Sequence, residues 1–264
     1  MISTLRNNGL KDKVVIIASQ RSGKCIPSEL AQIFLSENAI VHVADISEEI
    51  LRIIEEEAKL NTGHAVNTFR IDFSVPGEIE RLVQEIKKRE GRIDILVTDF
   101  GLLEFVPHLK PFHTQNGEEW RSQITTILED ALSWSKSVIP AMIENNSGRI
   151  IHVLSEASRV GTPFMSVYAA AKAGVAGFSR SLAAELARYN ITVNCVSLGI
   201  QEIEKRGTNS EPAELKLNKI RNKIPLRRFG EPEEISFMVA FIASDLGAYI
   251  TGQNISVSGG MIMI

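Results

Sequence analysis

Short runs of apolar and β-branched residues alternate with longer segments of helical periodicity along the whole chain, about seven times. Several of the short runs are apolar on both faces, which is typical of parallel strands covered by helices on both sides. This alternation predicts right-handed βαβ units and a doubly wound α/β fold with a parallel sheet of about seven strands. The predicted strands are residues 14–18, 40–44, 65–71, 93–97, 149–154, 191–196 and 254–257.

The segments between the strands carry helix start signals. Ser47 precedes two glutamates, and Pro232 precedes two more, which suits the positive end of a helix dipole. No composition shift or linker tract divides the chain, so one domain over residues 1–264 is expected, with a lid-like, charged segment at about residues 199–228. The predicted helices begin near Ser28, Ser47, Pro76, Glu118, Ser166 and Glu233.

Composition excludes several function classes. The 264 residues carry a net charge of −3, which gives no support for nucleic-acid binding. No run of about twenty apolar residues predicts a membrane span, and the N-terminus lacks the apolar core of a signal peptide. The two cysteines form neither a disulfide framework nor a metal site. We therefore expect a soluble protein of the reducing cytoplasm, without metal.

The first strand runs into a turn at the place where a phosphate-binding loop belongs in this architecture. Ser19, Arg21 and Gly23 are the residues of the turn that would face a pyrophosphate at the N-terminus of the next helix. Only Gly23 remains of the three glycines expected there, so an ordinary strand–helix loop is the better interpretation of this turn taken alone.

An acid ends the second strand. Asp45 lies about twenty residues beyond the turn, where a carboxylate accepts hydrogen bonds from an adenosine ribose and repels a 2′-phosphate. A helix cap or a solvated aspartate explains the same residue about equally well.

A third pattern carries the chemistry. Tyr168 and Lys172 are four residues apart and so project from one face of a helix, and Ser155 ends the preceding strand, with twelve residues between it and the tyrosine. A tyrosine and a lysine at this spacing are usually structural. The strand-end serine and the dinucleotide-type pattern upstream favour a catalytic interpretation.

The segment from Ser155 to Lys172 resembles the active-site motif of the short-chain dehydrogenase/reductase family. The similarity covers about residues 10–260 and is most specific in the C-terminal half, over residues 193–199, 228–235, 241–253 and 259–260. The nearest general relatives are the 3-oxoacyl-acyl-carrier-protein reductases and the sugar or steroid dehydrogenases.

The resemblance implies a role for each site residue. Ser155 positions the substrate carbonyl, Tyr168 exchanges a proton with it, and Lys172 binds the nicotinamide ribose and favours the tyrosinate. Asp72 and Phe73 correspond to the pair that meets the adenine ring. The remaining residues implied for cofactor binding are Asp99 and Gly101, which follow the fourth strand, and Gly199, which follows the sixth.

Several residues depart from the family pattern around the cofactor. Ser19 and Cys25 stand where the family has glycine, and Phe100 replaces a small residue on the adenosine side and is expected to fill part of that space. Ile127 takes the place of the asparagine that organises a proton-relay water, and Ile203 that of a threonine that contacts the carboxamide. These departures predict weak binding of the dinucleotide.

Three hypotheses follow. The first is an oxidoreductase that interconverts a secondary alcohol and a ketone, prefers NAD(H) to NADP(H) because of Asp45, and uses Tyr168 as general acid and base. The second is a degenerate, non-redox member that binds a ligand or supports assembly. The third is a non-redox lyase resembling the halohydrin dehalogenases. A homotetramer is expected, because the helices near Glu118 and Ser166 and the apolar tail at residues 261–264 correspond to family interfaces.

Overall fold

The computed structural model describes residues 9–20, 25–101, 110–201 and 218–264. All seven predicted strands are present and belong to one parallel sheet, in the order β3-β2-β1-β4-β5-β6-β7. The prediction of a doubly wound sheet is therefore confirmed. The strands are β1 (Val14–Gln20), β2 (Ile40–Asp45), β3 (Asn67–Arg70), β4 (Ile95–Phe100), β5 (Gly148–Ser155), β6 (Ile191–Leu198) and β7 (Asn254–Val257).

Helices connect consecutive strands and cover both faces of the sheet. Ser47 caps the second helix with its side chain, as its sequence signal predicts, and Pro232 occupies the first turn of the last one. The helices are α1 (Cys25–Ser36), α2 (Glu48–Thr62), α3 (Glu78–Glu90), α4 (Gly117–Ile124), α5 (Asp130–Glu144), α6 (Ser166–Leu186) and α7 (Pro232–Ala243), with a π-helical segment at Thr125–Glu129 between α4 and α5.

Alternation along β1 explains the layered core. Val14 and Ile16 pack into the core under α3, α5 and α6, whereas Val15 and Ile17 pack into the core under α1, α2 and α7. Both faces of the central strands are thus buried, which is why these strands read as continuous apolar runs.

The chain order reverses between β1 and β4, which are neighbours in the sheet. β4 extends through Phe100, because Ser19 pairs with Asp99 and Gln20 with Phe100. Asp99 and Phe100 were expected after the strand and instead form its last two positions. A crevice at such a switch point is where ligands bind in open α/β sheets.

Candidate active site

Ser155 is the last residue of β5, at the carboxyl edge of the sheet. Its backbone is extended and its hydroxyl oxygen accepts a hydrogen bond from the backbone N–H of Ala157 at 3.2 Å, which caps a short 3-10 turn. The turn fixes the rotamer of the serine. Since the hydroxyl accepts this bond through its oxygen, this bond does not use its O–H.

Tyr168 and Lys172 lie one turn apart in α6, as the sequence predicts. Both are buried, and the ammonium nitrogen of Lys172 is 5.8 Å from the centre of the Tyr168 ring. A cation close to a phenol ring favours the ionised form of that phenol. The helix carries Ala, Gly and Val around the pair, so it packs closely on β5 and β6.

The ammonium of Lys172 ties α6 to the sheet. Its Nζ donates to the carbonyl oxygen of Phe100 at 2.7 Å and to that of Val153 at 3.0 Å. Only 2% of the lysine is exposed. Two of the three donors of the ammonium are thus bound to the ends of β4 and β5.

His152, on β5, lies close enough to Lys172 to be affected by its charge. It is fully buried, and desolvation, with the positive charge of Lys172, lowers the pKa of the imidazole to about 3. Thr98 Oγ1 lies 2.7 Å from His152 Nδ1, so the ring is neutral and hydrogen-bonded. The sequence indicates the histidine but not its contact with Thr98, because the two residues lie on different strands.

Three polar residues meet where β1, β2 and β4 end, at the place predicted for the adenosine ribose. Ser19, Asp45 and Asp99 are all completely buried. Asp45 Oδ1 accepts from the Ser47 backbone N–H at 2.8 Å, and Oδ2 has no partner of good geometry among the described residues, although the Ser19 hydroxyl is close. Desolvation raises the pKa of Asp45 to about 6, and the nearby carboxylate of Asp99 adds to the shift.

The residues predicted to meet the adenine are a buried aromatic side chain and an exposed acid. Phe73 packs edge-on against both Phe100 and Trp134, at ring distances of 5.8 and 5.6 Å. Phe100 is buried in this core, so its ring does not extend into the space above the sheet as expected. Asp72 is exposed, and hydrogen bonds from Ser74 lower the pKa of its carboxyl.

Ile127 occupies the π-helical segment between α4 and α5 and is buried. Segments of this kind occur frequently at functional sites. The next residue along the chain beyond this segment, Asp130, is a buried acid that the sequence analysis did not single out. Desolvation raises its pKa to about 7, with smaller contributions from Glu129 and Asp72.

Gly199 and Gly101 are the described glycines of the predicted cofactor site. A side chain at Gly199 would lie 2.9 Å from the Cα of Ser258, so this position requires close backbone approach. Gly101 is buried directly after β4.

Arg21, Gly23 and Ile203 lie outside the described residues, as does most of the predicted lid at 199–228.

No group of three potential metal ligands occurs in the part of the chain that the structure describes. Within the same residues, no helix has the length and apolar character needed to cross a membrane.

Comparison with known proteins supports the resemblance. A family model described as enoyl-(acyl carrier protein) reductase matches residues 20–262. A 3-oxoacyl-[acyl-carrier-protein] reductase of Thermotoga maritima is 34% identical over 96% of this chain and 99% of its own. Two solved structures share the fold. Cj0485 dehydrogenase has a TM-score of 0.86 at 25% identity, covering 98% of this chain and 97% of its own. NAD⁺-bound xylitol dehydrogenase has a TM-score of 0.83 at 24% identity, and the match covers 95% of this chain and 99% of that one.

One prediction is wrong. A preference for NAD(H) over NADP(H) was expected from Asp45, but the matched 3-oxoacyl-[acyl-carrier-protein] reductases are NADPH-dependent. The prediction assumed an ionised carboxylate that faces the 2′-position. Asp45 is instead buried, and its Oδ1 accepts a hydrogen bond from the Ser47 backbone N–H.

Proposed function

Because the chain belongs to the short-chain dehydrogenase/reductase family, we propose that it interconverts a secondary alcohol and a ketone by hydride transfer, with Tyr168 as general acid and base. The observation that carries the proposal is the bonding of Lys172, one turn from Tyr168 in α6, to the strand that Ser155 ends. Ser155 ends β5, and the ammonium of Lys172, one turn from Tyr168, is bonded to the ends of β4 and β5.

The residues at the strand ends fit a nicotinamide dinucleotide at its ribose end. Asp45 ends β2 at the place where the family resemblance puts the adenosine ribose, and the buried polar cluster of Ser19, Asp45 and Asp99 gives this strand end the polar character that a ribose requires. We assign Asp72 and Phe73 to the adenine, and Asp99, Gly101 and Gly199 to the remainder of the dinucleotide. When bound, the dinucleotide supplies or accepts the hydride.

The side chains supply the proton chemistry. The Ser155 O–H donates to the carbonyl oxygen of the substrate, and Tyr168 gives that oxygen a proton in reduction or removes one in oxidation. Lys172 stabilises the phenolate that remains. Its position is set by the two backbone carbonyls, so binding a ribose hydroxyl would call on its third donor.

The substrate class we propose is a 3-oxoacyl thioester, reduced at the 3-oxo group. Support comes from the matched relatives, whose names describe this activity and whose sequences align over 96% of the chain. We also propose a cytoplasmic homotetramer. Met263 and Ile264 are more than three-quarters exposed, which suits a tail covered by another subunit.

A non-redox protein is the second candidate, and specific observations favour it. Lys172 is almost fully buried and bonded to backbone carbonyls, and Ile127 has no hydrogen-bonding group to organise a proton relay. Halohydrin dehalogenases typically carry arginine at the position of Lys172. Because this chain has lysine there, a degenerate binding or structural member is a better non-redox candidate than a lyase of that kind.

The test is the absorbance of NADPH during incubation with a short 3-oxoacyl thioester, followed by a panel of simple ketones. The proposal predicts oxidation of NADPH with the thioester at a rate above that with the simple ketones. Dinucleotide binding without turnover of any compound would support the degenerate alternative.

A further inference from the structure

The residues that follow Ser155 form a short turn that carries two charged side chains. Glu156 begins the turn and Arg159 ends it, and the Arg159 backbone N–H donates to the Glu156 carbonyl oxygen at 2.9 Å. The turn also contains the hydrogen bond from the Ala157 backbone N–H to the Ser155 hydroxyl oxygen. The position of that hydroxyl therefore depends on how firmly the turn is held.

Glu156 attaches the turn to the edge strand β7. Only 3% of the residue is exposed, and its Oε1 accepts a hydrogen bond from the Ser256 hydroxyl. Its Oε2 has no hydrogen-bond partner among the described residues and lies 3.9 Å from Arg159 Nε. A buried carboxylate is unfavourable unless a cation and donors compensate it, so the burial of Glu156 depends on Arg159 and Ser256 together.

Arg159 makes a second attachment to β7. Its guanidinium donates to the main-chain oxygen of Asn254, at the start of the strand, and to that of Ile264 at 3.1 Å. The arginine side chain is 12% exposed. A planar guanidinium that faces two main-chain oxygens and a carboxylate has little freedom to move. The turn is therefore fixed to β7 at both of its ends.

Strand β7 is joined in the same way to the strand that neighbours Ser155. The Ser197 hydroxyl, on β6, donates to the amide oxygen of Asn254 at 2.8 Å and lies 3.5 Å from the carbonyl oxygen of Ser155. The polar contacts thus run from β7 through the turn and through β6 to the serine. None of these contacts uses the Ser155 O–H.

A hydroxyl that donates to a substrate carbonyl has to be held within about 0.5 Å of its productive position. A buried ion pair is weak evidence for stability, because apolar residues of similar volume often stabilise a protein as well or better. The pair of Glu156 and Arg159 is better explained by the geometry that it imposes on the turn.

We propose that Glu156 and Arg159 are positioning residues, which fix the turn to β7 and so set the place of the Ser155 hydroxyl toward the substrate carbonyl. This inference rests on the proposed redox function, in which Ser155 donates to that carbonyl. Neither charged side chain is assigned a contact with the substrate or the dinucleotide.

A double-mutant cycle tests the link with Ser155. Oxidation of NADPH with the 3-oxoacyl thioester is measured for Glu156→Gln, Ser155→Ala and the doubly substituted protein. The glutamine keeps an acceptor for Ser256 but loses the charge that attracts Arg159. We expect Glu156→Gln to lower kcat about tenfold when Ser155 is present, and less than about twofold when it is alanine, because the positioned hydroxyl is then absent.

Three comparisons separate positioning from general damage. Ser256→Ala keeps both charges, removes the hydrogen bond to Glu156 and should lower kcat about threefold, which keeps the test valid if Glu156→Gln does not fold. Glu185→Gln, at an exposed acid three residues before an exposed arginine, is the matched control and should leave kcat unchanged. NADPH affinity should stay within about threefold in every variant, since the turn is not assigned to the dinucleotide.

Hydrogen–deuterium exchange of residues 155–160 provides a readout that needs no turnover. Glu156→Gln and Ser256→Ala should speed exchange in this segment at least about threefold, and Glu185→Gln should leave it unchanged. If the unmodified protein does not oxidise NADPH, the proposed function fails, and exchange alone decides whether the pair holds the turn; it also decides if Ser155→Ala is too slow to measure. Equal loss of kcat in both backgrounds, or unchanged exchange in the folded Glu156→Gln and Ser256→Ala proteins, would overturn the proposal.

Discussion

The ammonium nitrogen of Lys172 lies 2.7 Å from the carbonyl oxygen of Phe100, across the boundary between α6 and the end of β4. Phe100 ends the strand that neighbours β1 at the point where the chain order reverses. The same lysine therefore stabilises the fold and belongs to the proposed catalytic group. A substitution at Lys172 should therefore affect stability and activity together.

Lys172→Met should destabilise the protein as well as inactivate it. The methionine fills similar space but leaves the carbonyls of Phe100 and Val153 without a donor, at a cost of about 1–3 kcal/mol for each buried group. Urea unfolding measures the difference. Lys219→Met, at an exposed lysine, is the matched control and should change stability little. A stability loss no greater than the control's would contradict the role of Lys172 as a tie between α6 and the sheet.

Asp130 should make stability depend on pH. Its pKa is raised from 3.8 to about 7, chiefly by desolvation, so the folded protein holds a proton between these values that the unfolded chain releases. The contribution of Asp130 to the unfolding free energy is therefore fully present below about pH 4. It is lost as the pH rises to about 7, and this loss is at most about 4 kcal/mol.

Asp130→Asn removes this titration. Relative to the unmodified protein, the variant should gain stability from about pH 4 to about pH 7 and level off above that, as measured by urea unfolding at each pH. Glu185→Gln, at an exposed acid on α6, should show no such trend. If the difference in unfolding free energy between the Asp130→Asn and unmodified proteins does not change with pH, Asp130 has an ordinary pKa in the folded state.

Ile127→Asn should raise the turnover rate at some cost in stability. The family's proton relay uses an asparagine here, whereas a buried amide without a partner costs about 1–3 kcal/mol. Ile127→Val is the control, with a stability loss of about 0.5–1.5 kcal/mol and no gain in rate. If kcat in a folded Ile127→Asn protein does not exceed that of Ile127→Val, the missing relay is not what limits catalysis.

Assembly can be tested by light scattering at micromolar concentration. A homotetramer is expected, and removal of residues 261–264 should weaken it, because their exposed apolar side chains would then be absent from the contact. A monomeric unmodified protein would reject this proposal.

The fold was predictable from the sequence because a parallel sheet buried on both faces leaves a strong apolar pattern, and all seven strands fall where that pattern places them. Ser155, Tyr168 and Lys172 were identified by their spacing along the chain. The contacts of Lys172 with Phe100 and Val153 were not, since they join three separate elements. The burial of Asp45 likewise depends on the neighbouring strands β1 and β4, and the local sequence around Asp45 does not show it. The predicted preference for NAD(H) took no account of this burial and was wrong.

The central claim is that Tyr168 transfers the proton in a working redox site. The most direct test measures NADPH-dependent turnover of a 3-oxoacyl thioester together with NADPH affinity, by calorimetry, in the unmodified and Tyr168→Phe proteins. The account predicts that the unmodified protein turns over and that Tyr168→Phe loses turnover by several orders of magnitude, while binding NADPH within about threefold of the unmodified protein, since the phenol supplies only the proton. A folded Tyr168→Phe protein that retains turnover, or an unmodified protein that neither binds NADPH nor turns over, would contradict it.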